Sequence, residues 1–376
     1  NVFIGYQSGE EVTTGNNSVA MGKWALRNVT DGSNNTAVGY GASNNLTTGT
    51  NNVSMGFASQ TGTTASYNVS IGYGVGNALT TGANNTGVGY NALNSLTTSS
   101  KHVAIGQGAS TAVTTGQYST SVGYNALYSL TTGDGNVAVG TEALDALTTG
   151  SNNVAVGKGA LGLNNGGNNV GVGVDALANV STGQRNIGIG VSSIGTVTTG
   201  DYCIGIGESS TLGGGSDAQH EMVIGYNIEG AGSNTVTIGK AGAGNKIYVD
   251  FTSTGTWTHS SDLRMKTNIE DSNLGLNFIN DLRPVEYNWK ADADMPEGIQ
   301  RYGSDNPSTE ADTTTRYGLI AQEVKAALDK EDAVDFDGWT TDASGVEGVG
   351  AAAFIYPLIK AVQELSAEVK ELKKEK

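Results

Sequence analysis

A single cysteine, Cys203, excludes any disulfide within the chain. Proline is almost missing: Pro284, Pro296, Pro307 and Pro357 are the only four, so none interrupts the first 280 residues. Charge is equally uneven. Residues 1–260 carry 7 Lys/Arg and 13 Asp/Glu, whereas residues 261–376 carry 13 and 23. The only basic cluster is Lys370 to Lys376 and the net charge is −16, so nucleic acid is not an expected partner. No run approaches the ~18 apolar residues of a spanning helix, so no membrane insertion is expected. No metal site and no cofactor are expected either. The sequence opens at Asn1 inside a repeat, without Met or signal peptide, as a fragment would.

What the first part does have is glycine and repetition. A strand-like core of the type Asn-Val-Ala-Val-Gly recurs fifteen times, ending at Gly5, Gly22, Gly39 and so on to Gly225 and Gly239. The period is 17 residues, slipping to 16 twice and then to 18 and 14. So regular an array predicts a β-solenoid, each coil made of two short strands and two turns. In Asn152-Asn153-Val154-Ala155-Val156-Gly157 the alternation of Val with a small residue fits a strand burying one face. Ala143-Leu144 supplies a second apolar patch, and Thr-Thr-Gly and Asn-Asn suit tight turns, where Gly and Asn tolerate positive φ. Stacked Asn or Thr would form side-chain ladders between coils. At about 4.8 Å per coil, fifteen coils make a rod of roughly 70 Å.

One such coil encloses little apolar volume. Three rolls packed around an axis would bury the remaining Leu and Ile faces, which predicts a closed homotrimer. His102 and His220 are isolated and are expected in surface turns. Cys203 takes the place that Asn153 holds in its own repeat and is expected as a small packed side chain. Tyr6, Tyr40, Tyr73, Tyr90, Tyr124 and Tyr226 each follow the repeat glycine, forming a stripe that either covers strand edges or stacks on sugar rings. The sparse acids give no glycosidase-like pair, so no separate enzymatic activity is expected in the repeats. These repeats resemble the left-handed β-roll head of trimeric autotransporter adhesins, with a longer period.

The period breaks after residue 240. Asn245 to Thr258 alternates apolar and polar residues, as a neck strand or hairpin over 241–260 would, closing the open end of the solenoid. Four blocks then follow: Ser261-Asp262-Leu263-Arg264-Met265-Lys266, Leu282 to Lys290, Tyr317 to Val324, and Tyr356 to Leu365. Together they resemble the intramolecular chaperone domain of endosialidases, phage tail spikes and tail fibres, a family also classed as Ser-Lys self-cleaving peptidases. The resemblance implies a small α+β chaperone domain over 261–376, with Ser261 as nucleophile, Lys266 as its base, and the bond Ser260–Ser261 as the one cut. A serine hydroxyl needs a base, and a lysine serves when burial or charge lowers its pKa. Attack by Ser261 on the preceding carbonyl is an N-to-O acyl shift, followed by ester hydrolysis, and the tethered substrate needs no pocket. Asp262 and Arg264 would orient the pair or form a salt bridge, and His259 would assist or merely sit in the neck.

Tyr317 to Leu328 reads as a strand entering a helix. Further on, Ile355, Leu358, Val362, Leu365, Val369 and Leu372 recur in steps of three and four, a coiled-coil seam over 355–376. By themselves β-branched residues at a and Leu at d favour a dimer, so the trimer comes from the resemblance and the solenoid. The expectation is a virion tail fibre or tail spike that attaches to a host receptor, a glycan or outer-surface protein. The alternative is a bacterial trimeric surface adhesin built from the same head repeats.

Overall fold

The computed structural model describes the chain except residues 61, 242–244, 253–256, 260–262, 264–265, 292–293, 296–312, 334, 342–344 and 375–376; of Trp257–His259 it describes the backbone. The chain divides into two units, Asn1–Met265 and Lys266–Lys376.

The first unit is a β-solenoid. Fifteen strands, from Val2–Ile4 to Thr235–Lys240, pair in parallel with their neighbours in chain order. The register follows the repeat: Val137 faces Val154, Val154 faces Val170, Ile204 faces Met222 and Met222 faces Val236, so the slips of period are absorbed in the turns. From the second strand on, the middle residue of each three-residue solenoid strand (Ala20, Ala138, Ala155) faces inward and is buried, while Phe3 in the first strand is half-buried. The repeat glycine then reverses direction. Gly157 has φ +137°, and a Cβ there would stand 2.3 Å from the Gly173 carbonyl oxygen, so no other residue lets the coils stack this closely.

Each coil carries one strand, not the expected two. Across from the strand the Ala-Leu segment is a chain of turns, because Glu142 and Leu144 both adopt the left-handed conformation, at φ +57° and +53°. Its amides still bond from coil to coil, as Leu144 N–H does to the Ala160 carbonyl at 3.0 Å. Leucine therefore sits inside. Leu26, Leu93, Leu127, Leu144 and Leu147 are essentially inaccessible, and the face left outside is the aliphatic row on the outer side of the strands. Met21, Met55, Ile105, Val156 and Ile189 in that row are each about two-fifths exposed.

Asparagine forms the expected ladder. Asn153 donates from its backbone to Asn136 Oδ1 (3.0 Å) and from Nδ2 to the Gly166 carbonyl (2.9 Å), while its Oδ1 accepts from Asn169 N–H (2.9 Å). The preceding Asn152 takes φ +59°. Threonine hydroxyls add a second row, Thr114 and Thr131 donating to the carbonyls of Thr131 and Thr148 at 3.2 and 3.0 Å. His102 departs from the surface turn expected of it. It occupies the ladder position, is 1 % exposed, and its N–H donates to Asn85 Oδ1 at 3.0 Å. His220 is exposed and stacks on Tyr202 at 5.0 Å. Cys203 is buried in the same ladder, bonded through its N–H to Asn186 Oδ1, and burial pushes its thiol up to about 11.

One layer of the core is polar. Ser43 and Ser54 bond hydroxyl to hydroxyl at 2.7 Å, Ser54 also donates to Gln60 Oε1, and the apolar core divides into two clusters around this layer. Ser110 and Ser121 repeat the pair at 2.9 Å. At the top of the array, Lys246–Asp250 runs antiparallel to Thr235–Lys240 and Trp257–His259 antiparallel to Lys246–Asp250, so a hairpin caps the last parallel strand.

The second unit packs three helices, α1 (Leu276–Asp281), α2 (Ala321–Lys330) and α3 (Ile355–Lys374), with two antiparallel strand pairs. Its core joins Leu274, Phe278, Val324, Leu328 and Phe354, with the rings of Phe278, Phe336 and Phe354 in mutual contact at 5.3–6.1 Å.

Candidate functional site

The first block, Ser261 to Lys266, straddles the division between the two units. His259 ends the last strand of the hairpin, its backbone paired opposite Ile247. Ser260, Ser261, Asp262 and Arg264 lie outside the described residues, and so does any contact between the proposed nucleophile and its base. Lys266 opens the second unit and is exposed.

The other three blocks converge in one small domain. Val285–Tyr287 pairs antiparallel with Arg316–Gly318, bringing the Leu282–Lys290 block beside the Tyr317–Val324 block. Arg283 from one and Glu323 from the other form a two-pronged ion pair across this junction. That hydrogen bonding holds the Glu323 carboxyl below its ordinary range and raises the Arg283 guanidinium. On α2, Val324, Ala327 and Leu328 face inward, as a helix following a strand should place them.

The fourth block, α3, has two apolar faces. Pro357 and Ala361, with Phe354 in the turn just before the helix, face the domain core, and Glu364 caps α1 by accepting the Leu276 N–H at 2.7 Å. The adjacent face, about 100° round the helix, carries Ile355, Leu358, Val362, Leu365, Val369 and Leu372, all between 41 and 65 % exposed. This row makes no use of the domain's own core.

Residues 261–333 match a peptidase family model described as chaperone of endosialidase. The match takes in the first three blocks. It begins on Ser261 itself and ends just past α2. No curated protein and no solved structure matches the chain.

The solenoid adds a surface that periodicity only hinted at. The rings of Tyr40, Phe57, Tyr73 and Tyr90 stack one per coil, 5.0–5.2 Å apart and within 14° of parallel. Trp24 leans on Tyr40 at 5.1 Å, and the Lys23 ammonium lies 4.3 Å from the Trp24 ring centroid. The stripe named only tyrosines, but Phe57 fills the same position after Gly56 and completes the column. Aligning the repeats on their glycine is the signal that finds it.

Proposed function

We propose that the chain is part of a phage tail fibre or tail spike whose residues 261–376 align three chains and then detach. The observation that carries this reading is the match to the endosialidase chaperone family, which starts at the residue assigned as nucleophile. In this scheme Lys266 takes the Ser261 hydroxyl proton, the oxygen attacks the Ser260 carbonyl, the Ser260–Ser261 C–N bond breaks as Lys266 returns the proton to the Ser261 amine, and water hydrolyses the resulting ester to a Ser260 carboxylate and a free Ser261 hydroxyl. The cut leaves the solenoid and hairpin as the mature fibre on the virion, where it meets a host glycan or outer-surface protein.

Two exposed apolar rows give the trimer its chemistry. One is the outward Met/Val/Ile row of the solenoid strands, and the other is the Ile355 to Leu372 row of α3. Contiguous apolar surface of this extent marks association rather than hydration. Three copies also solve a problem of register. A parallel array of near-identical repeats matches itself when shifted by one coil, so the chains need an end point that aligns them. Cleavage then makes assembly irreversible, because the finished fibre loses the segment through which it was aligned.

Denaturing electrophoresis with intact mass tests the peptidase step. Purified wild-type chain should divide into fragments of about two-thirds and one-third, with a new amino terminus at Ser261. Ser261→Ala and Lys266→Ala should remain full length. A wild-type chain that forms trimers yet stays intact would overturn the cleavage and leave the chaperone role standing.

A further inference from the structure

The aromatic column has a missing rung. Following the residue after each repeat glycine, the order is Tyr40, Phe57, Tyr73, Tyr90, Gln107, Tyr124. Gln107 interrupts the stack, so Tyr90 has a stacked neighbour below it, Tyr73 at 5.2 Å, and no ring one coil above. Tyr90 and Tyr124 therefore stand two coils apart, about 9.6 Å at about 4.8 Å per coil. Between them lies a cleft of about 220 Å³. Gly108 opens its floor. With φ +71° and no side chain, it leaves room that a Cβ would close against Asn125 Oδ1 and the Tyr128 ring. The rings of Tyr90, Tyr124 and Tyr128 are about half exposed, at 52, 46 and 45 %.

We propose that this slot binds one neutral pyranose ring of a surface glycan, sandwiched between Tyr90 and Tyr124 in the place the missing fifth aromatic rung would take. The proposal deepens the receptor-binding reading given above and rests on it. Three features select the occupant. The cleft is smaller than the ~300 Å³ and upward typical of drug-sized ligands, and so suits a single ring with its substituents. Each existing rung occupies one coil, so a six-membered ring that displaces the exposed Gln107 side chain would take the interval with apolar contact on both faces. Polar groups line the rim: the Gln107, Asn91 and Asn125 side-chain amides form no hydrogen bonds among the described residues, and phenol hydroxyls stand beside them. A polyhydroxylated ring satisfies both kinds of contact, where an aromatic side chain satisfies only the stacking.

Charge decides against acidic sugars. Glu142 and Asp145 occupy, in the next coil, the positions of Asn125 and Tyr128. Burial, with Glu142 nearby, raises the Asp145 carboxyl above its ordinary range. A carboxylated sugar would meet this acidic edge on a chain already at net −16.

The test uses the full chain and saturation-transfer NMR with methyl glucopyranoside, methyl galactopyranoside and N-acetylglucosamine, with sialic acid and p-cresol as the contrasting probes. At least one neutral pyranoside should saturate with a dissociation constant on the order of 1 mM, the strength of a monosaccharide-sized ligand. Gln107→Phe supplies the missing rung, continues a stack the fold already uses, and should weaken that binding at least tenfold with unchanged circular dichroism. Tyr124→Ala should weaken it similarly. The proposal fails if no neutral pyranoside saturates the wild type, if Gln107→Phe binds as well as wild type, or if sialic acid or p-cresol binds more tightly than every neutral sugar. Cleavage and oligomeric state measured on the same samples separate this failure from failure of the assembly reading.

Discussion

Replacing Asn153 by alanine probes the element on which coil stacking depends. Its side chain is wholly buried and serves two coils at once, donating to the Gly166 carbonyl and accepting the Asn169 N–H. In Asn153→Ala the Asn169 N–H is left buried without a partner, costing about 1–3 kcal/mol. The Gly166 carbonyl keeps its 3.3 Å bond from Asn164 Nδ2, so only the ordinary net value of a hydrogen bond, about 0.5–1.5 kcal/mol, is lost there. The expected destabilisation is about 1.5–4.5 kcal/mol in all. Urea unfolding followed by far-UV circular dichroism reads the total. Hydrogen exchange locates it, since a repeat array opens mainly at the lesion and its neighbouring coils. Faster exchange should centre on Val154–Val156 and Val170–Val172. Asn152, exposed and at φ +59°, is the control: Asn152→Gly should change stability by only a few tenths of a kcal/mol. A shift below ~0.5 kcal/mol for Asn153→Ala, with exchange unchanged, would refute the ladder as a source of stability.

His102 replaces asparagine in the same ladder, and burial holds its imidazole below the ordinary 6.5. As pH falls below 6.5 the unfolded chain takes up a proton that the folded coil refuses, so stability declines until the depressed folded value is passed. His102→Asn should remove this decline, and melting curves of the two proteins should diverge progressively in acid; parallel curves would count against it. The Ser110–Ser121 pair should behave as a unit. Ser110→Leu alone removes the 2.9 Å partner of Ser121 and leaves its hydroxyl only the 3.4 Å bond to the Val103 carbonyl, at about 0.5–1.5 kcal/mol, whereas Ser110→Leu with Ser121→Ala recreates the apolar layer at little cost, giving a coupling of about 0.5 kcal/mol or more in a double-mutant cycle.

That pairing was legible in the repeats themselves. Where Leu144 precedes Ala155 the layer is apolar, and where serine replaces the leucine, at Ser43 and Ser110, the following strand centre is also serine, Ser54 and Ser121. Single-strand reasoning passes over it because the two residues lie eleven apart and meet only when the coil closes. The histidine was misjudged for a related reason. An isolated polar residue reads as surface until alignment places it in the asparagine row, where the interior already supplies hydrogen-bond partners.

The sequence by itself determined what repeats locally, namely the period, the strand core, the obligatory glycine and the end of the array near residue 240, and also the three blocks that the chaperone family model matches. Those features are written in spacing and residue type. The tertiary structure decided what depends on direction and closure. Left-handed turns at residues such as Leu144 replaced the second strand and drew leucine inside, so the outer apolar face became the strand's Met/Val/Ile row. Stacking by one coil turned scattered aromatics into a continuous column, and made the substitution of Gln107 a gap bounded by two rings. A linear pattern specifies which side chains alternate. Only the closed coil, by fixing which neighbours lie about 4.8 Å above and below, determines what each one touches.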